Sequence, residues 1–139
     1  MINAQYTLRV LEAYEDEVSG IGYFRGLAET YPQHAAFFER CSALERATAI
    51  RLSALIGKYD LTPRTQTSLE ERGALNARRE AGSDWRELMR QSMKSYACYV
   101  AEFEALEAIG PTEDQPVLAA LTAHEIQLIE WMRLETGSS

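Results

Sequence analysis

"CSALERATAIRLSALIG", residues 41–57, is the stretch from which the fold is read. Cys41, Leu44, Thr48, Leu52 and Leu55 recur at intervals of three and four, the spacing that aligns side chains along one face of an α-helix. Glu45 falls on that same face, between Cys41 and Thr48. A carboxylate in an apolar stripe is costly to bury unless a proton, a hydrogen-bond donor or a cation compensates it. The run therefore predicts a core-facing helix and raises the question of what compensates Glu45.

Working outward, the same periodicity predicts four helices, over residues 3–29, 33–58, 84–109 and 115–135. The first carries Val10, Tyr14, Glu17, Ile21, Phe24 and Ala28 as its stripe, and the second Phe38, Cys41, Glu45, Thr48, Leu52 and Leu55. "TYPQH" (30–34) separates them with Pro32 in a turn short enough to force an antiparallel hairpin. The third helix carries Trp85, Met89, Ser92, Tyr96, Tyr99, Phe103 and Leu106, with Ser83 or Asp84 as its N-cap. "GPTEDQP" (110–116) stops it and restarts the chain into the fourth, whose stripe is Leu118, Leu121, Glu125, Leu128 and Met132. No run alternates as a strand would. Residues 59–83 form a long polar crossover with Pro63, Gly73 and Gly82, within which "SLEERGALNARRE" is a candidate short surface helix. The layout is one all-α domain over residues 1–139, two helical hairpins joined by a crossover, with the tail "ETGSS" expected to fray.

Composition bounds the function. The chain has 139 residues, 21 acidic against 14 basic, and a net charge of −7. That balance argues against a nucleic-acid partner, which needs a clustered cationic surface. "ARREAG" (77–82) is too short a basic group to change this. No apolar run is long enough to span a bilayer, and "MINAQYTLRV" lacks the pattern of a secretory leader. Cys41 and Cys98 both sit in apolar helical patterns, read as buried reduced thiols of a cytoplasmic protein. There is no zinc-type cysteine cluster, phosphate loop or nucleophile elbow.

The two halves repeat. Phe38, Cys41, Glu45, Thr48 and Leu52 fall on Leu118, Leu121, Glu125, Leu128 and Met132 at an offset of eighty residues. "FRGLAE" (24–29) falls on "FEALEA" (103–108) at an offset of seventy-nine, which sets Glu17 opposite Tyr96. Hairpin, crossover, hairpin, with inward glutamates near the middle, resembles the ferritin-like (rubrerythrin-like) four-helix bundle superfamily. The segments that carry the resemblance are "EVSGIGYFRGLAE" (17–29), "LERATAIRL" (44–52) and "AHEIQLIEW" (123–131). That family holds two metal ions with a Glu from one helix and Glu-x-x-His from its partner, used twice. The resemblance implies Glu17, Glu45 and Glu125 as metal ligands. The histidine positions are Thr48 and Leu128 here, and the remaining carboxylate position is Tyr96. Glu102, the other candidate for that position, flanks the stripe. The resemblance thus implies a degenerate site with half of its ligands.

Two resolutions of the inward glutamates follow. In one they hold a single metal ion, manganese, iron, magnesium or calcium, since oxygen donors suit hard cations. In the other they belong to a hydrogen-bonded core with Thr48, Tyr96, Tyr23, His124 and Arg51 around them. His124 neighbours Glu125, but adjacent helical side chains diverge by about 100°, so it is expected to reach a site only from the flank. The function expected is a non-catalytic binding or structural role centred on the bundle core. The alternative is a metal-dependent oxidoreductase built on the reduced carboxylate set. A homodimer is expected by analogy with the fold. Gly20, Gly22 and Gly26 lower helix propensity in one helix and suit a close helix approach, within the fold or between subunits.

Overall fold

The computed structural model describes residues 3–82 and 84–137. Among them the chain is all-helical: α1 (Ala4–Thr30), α2 (Ala35–Lys58), α3 (Gln66–Glu80), α4 (Trp85–Ile109) and α5 (Gln115–Thr136), with 3-10 turns at Pro32–His34 and Thr112–Asp114. None of these helices is long and apolar enough to cross a membrane. Ser83, the alternative N-cap, and the last two residues of the tail lie outside the described residues. The chain divides into two compact units, Met1–Ala81 and Gly82–Ser139.

Local chemistry sets the helix ends. Asn3 caps α1 by accepting from the Gln5 amide at 2.7 Å, and Thr65 caps α3 by accepting from Ser68. Asp84 caps α4 by accepting from the amide of Glu87, the acidic residue three positions on, a spacing typical of a capping box. Beyond α2, Asp60 takes the left-handed conformation (φ 53°), and the Leu61 amide reaches back to the Ile56 carbonyl at 2.9 Å. That pair of features is a Schellman ending, with aspartate where glycine is usual. Gly137 ends α5 with φ 71°.

In the first unit α1 and α2 form an antiparallel hairpin. Phe24 stacks on Phe38 near the turn, Ser42 donates to the Ile21 carbonyl at 2.9 Å, and Tyr6 meets Tyr59 edge-on at the far end. One number rises along these pairs as the other falls, which is what antiparallel chains require. All six stripe residues of α2 are buried, and so are those of α1 except Tyr14, which is half-buried against Val18, Ala49 and Leu69.

The crossover departs most from expectation. Residues 66–80 form a full helix that packs on α1 through Leu69, Gly73 and Ala77, all buried. Its face is small rather than greasy. A Cβ on Gly73 would sit 1.8 Å from the Ser19 carbonyl oxygen, and one on Gly22 would sit 2.0 Å from that of Glu70. The two backbones therefore meet with glycine on each side, and Gly26 faces the Ala77 methyl in the same seam. Charged groups border it: Arg25 pairs with Glu70 at 2.9 Å, Arg72 reaches Asp16 and Ser19, and Glu15 accepts from the Arg64 amide at 2.8 Å. The close approach foreseen for Gly22 and Gly26 thus lies within the unit.

In the second unit α4 and α5 form another antiparallel hairpin. Arg86 donates to the Thr136 carbonyl at one end, and Thr122 to the Glu107 carboxylate near the other. Gln115 closes the turn by donating to the carbonyls of Glu107 and Gly110. The α5 stripe is buried throughout. The α4 stripe holds only at Met89, Ser92, Phe103 and Leu106; Trp85 and Tyr96 are half-buried and Tyr99 is exposed. Cys98 is exposed rather than buried, because it lies on the opposite side of α4 from Met89 and Phe103. Cys41 is buried as expected.

Candidate metal centre

Each unit buries side chains able to donate to a metal. In the first unit Glu17, midway along α1, and Glu45, midway along α2, are 3 % and 5 % exposed. Both side chains point inward because each replaces an apolar residue in its helix's stripe. A carboxylate oxygen of one lies within 4.8 Å of a carboxylate oxygen of the other. Two unit negative charges at that separation repel by about 3–4 kcal/mol at an effective dielectric near 20. Metal–oxygen bonds of about 2.0–2.6 Å let one hard cation span a gap of this order.

Gly20 creates the room. A Cβ there would lie 2.9 Å from Cδ and from Oε1 of Glu45, closer than real contacts allow. One turn after Glu17, the α1 surface is thus hollowed, and the Glu45 head lies in the hollow. In the sequence Gly20 reads as a residue that weakens the helix and suits a close approach; that the Glu45 head fills the space is visible only in the packing.

In the second unit Glu125 and His124 are both buried, at 4 % and 5 % exposure. The imidazole Nδ1 bonds the Leu121 carbonyl oxygen, and Nε2 faces Glu125 Oε2 at 3.4 Å. The Phe103 ring lies 6.2 Å from the imidazole, centre to centre. His124 is therefore not a flanking residue. The helical step separates its Cα–Cβ direction from that of Glu125, but its ring turns back along the helix and returns Nε2 to the carboxylate.

The other expected members of a polar core behave differently. Thr48 is buried, but its single hydroxyl proton goes to the Leu44 carbonyl one turn back, at 2.9 Å. It supports its own helix rather than donating to a carboxylate. Arg51, at the edge of the α2 stripe, is exposed. Tyr23 is half-buried with its ring edge-on to Phe24, and Tyr96 is half-buried against Tyr99. Glu102 is exposed.

The chain is thus an all-helical protein with a buried dicarboxylate in one unit and a buried imidazole–carboxylate pair in the other. No protein-family model, curated protein or solved structure matches it.

Proposed function

We propose that the protein is a ferritin-like four-helix bundle with a degenerate metal site, in which Glu17 and Glu45 hold one hard divalent cation in a binding or structural role. The observation that carries this reading is the buried Glu17–Glu45 pair, with oxygens within 4.8 Å and a hollow at Gly20 shaped to the second carboxylate. Burying two like charges is expensive, and a cation between their oxygens turns the repulsion into attraction. The donors are oxygens, which favours magnesium, manganese or calcium. Thr48, back-bonded to its own helix, adds no nitrogen donor at the position where the family has histidine.

The test is titration of the metal-depleted chain with manganese(II), read by the paramagnetic signal of the free ion. Stoichiometric binding is expected, weakened at least about tenfold in Glu17→Gln and Glu45→Gln, since even outer-shell changes at metal sites cost this much. Far-ultraviolet dichroism should be unchanged. A chain that binds none of manganese, magnesium and calcium, or variants that bind like the parent, would overturn the reading.

Gly20→Ala adds a second prediction, because it separates stability from binding. The atoms that its Cβ would strike are the far end of a flexible side chain, so the Glu45 head can swing away at little cost. Helix propensity improves by about 1 kcal/mol. The melting temperature is expected to hold or rise while manganese affinity falls about tenfold. Equal affinity in this variant would remove Gly20 from the site and leave the dicarboxylate reading intact.

A further inference from the structure

We propose that Ser42 is a positioning residue for the cation site: its hydroxyl ties α2 to α1 beside the Glu17–Glu45 pair and so disfavours the larger divalent ions. The inference rests on the cation reading of that pair and adds what selects among ions. It starts from where hydroxyl protons go. A serine or threonine inside a helix readily donates to a carbonyl three or four residues back on its own helix. Thr30, Thr48, Ser53 and Thr136 all do so, bonding the carbonyls of Gly26, Leu44, Ile50 and Met132. Ser42, buried in α2, donates instead across the hairpin to the Ile21 carbonyl oxygen of α1, at 2.9 Å. A hydroxyl has one proton, so this bond is made in place of one to its own helix.

Its position matters. Ile21 follows Glu17 by four residues and Gly20 by one, and Ser42 precedes Glu45 by three. The bond therefore lies about one helical turn from both carboxylates. Nearby, the hairpin is joined by apolar contacts such as Phe24 on Phe38. Apolar attraction is non-directional, whereas a hydrogen bond from a short side chain to a helix backbone holds a distance. The Glu17 and Glu45 side chains are buried, and the Glu45 head is confined in the hollow at Gly20. A wider gap between their oxygens must come from the helices moving apart. Bonds to magnesium are about 2.0–2.1 Å and those to calcium about 2.3–2.6 Å. Donors on opposite sides of the ion are therefore pushed apart by roughly a further 0.4–1.2 Å when calcium replaces magnesium. A bond of 2.9 Å stretched by that amount leaves the hydrogen-bond range. The discrimination that Ser42 imposes has a ceiling, because a large ion can enter by breaking the bond. A net hydrogen bond is worth about a two- to tenfold change in an equilibrium constant, and that sets the effect expected.

The test is competition in the metal-depleted full chain. Manganese(II) is bound first, and its release by magnesium and by calcium is followed through the paramagnetic signal of the free ion. The readout is the ratio of the two displacement constants. In Ser42→Ala calcium should gain on magnesium by about two- to tenfold, with far-ultraviolet dichroism unchanged. Ser53→Ala removes a hydroxyl bonded within α2 and should leave the ratio where it is. A purely structural Ser42 would lower the melting temperature in Ser42→Ala and leave the ratio unmoved; that result, or a shift towards magnesium, refutes the proposal. Should Ser42→Ala not fold, Ser42→Cys, close in size but a weak donor, is read for the same shift. A parent that binds no ion ends the cation reading and this inference with it. A parent that binds, with its ratio kept in Ser42→Ala, ends this inference alone.

Discussion

Gly73→Ala is expected to destabilise the protein by about 3 kcal/mol, among the larger effects that one methyl group can have. The backbone at Gly73 is ordinary α-helix, so no unusual torsion demands glycine there. Only space does. The added Cβ would lie 1.8 Å from the Ser19 carbonyl oxygen and 2.7 Å from the Tyr23 nitrogen. Both are backbone atoms of a buried stretch of α1 and cannot rotate away. The two helices would have to separate along their seam, which would open gaps at Leu69 and Ala77, both at most 1 % exposed, and cost dispersion contacts there. The gain in helix propensity, about 1 kcal/mol, offsets only part of this. Gly57→Ala, in the last turn of α2, is the matched control: a Cβ there meets nothing within 4 Å. It should stabilise by about 0.5–1 kcal/mol. Thermal melting of the two variants should therefore move in opposite directions, by roughly 10 °C downward for Gly73→Ala and a few degrees upward for Gly57→Ala. A Gly73→Ala protein that melts with the parent would mean that α3 does not rest on α1 as described.

That seam also explains what was legible in the sequence and what was not. The stripes of α1, α2 and α5 could be read because large side chains such as Phe24, Leu52 and Leu128 mark the buried side at helical spacing. The α3 face consists of Leu69, Gly73 and Ala77. Glycine and alanine contribute close approach rather than hydrophobic signal, so a packed helix reads as a polar crossover. In α4 the aromatic and small residues lie on more than one side: Tyr99 and Cys98 are exposed, while Met89 and Phe103 are buried. Periodicity alone does not rank two partly apolar faces of one helix. At the candidate site, the burial of Glu17, Glu45 and Glu125 followed from their place in stripes of apolar neighbours. Arg51 borders a stripe but is exposed, because a place at the edge of a stripe does not commit a long charged chain to the core. His124 depends on side-chain torsions that turn its ring toward Glu125, and no residue pattern encodes those. Gly20 is the instructive middle case. Its cost to the helix was evident, but the carboxylate that fills its hollow comes from another helix.

Replacing both Glu17 and Glu45 by methionine is expected to raise the stability of the metal-free protein by about 1–4 kcal/mol, the range seen when buried ionic groups give way to apolar ones of similar volume. Methionine is close to glutamate in length and flexible enough to fill the hollow at Gly20. It removes both the desolvation cost and the repulsion between oxygens within 4.8 Å. In the parent, an ion at a hundred times its dissociation constant should add about 2.7 kcal/mol by mass action. In the double variant that increment should vanish. Denaturant melts with and without manganese would therefore show a crossed pattern: the parent weak alone and strengthened by metal, the variant strong alone and indifferent to it. The opposite sign in metal-free protein carries equal information. If Glu17→Met/Glu45→Met is the less stable of the two without metal, the carboxylates are held by hydrogen bonds that the fold needs, and the pair is a structural network rather than a cation site. The sign of one stability difference thus decides between the two ways in which a helical core can keep a glutamate where a leucine would otherwise serve.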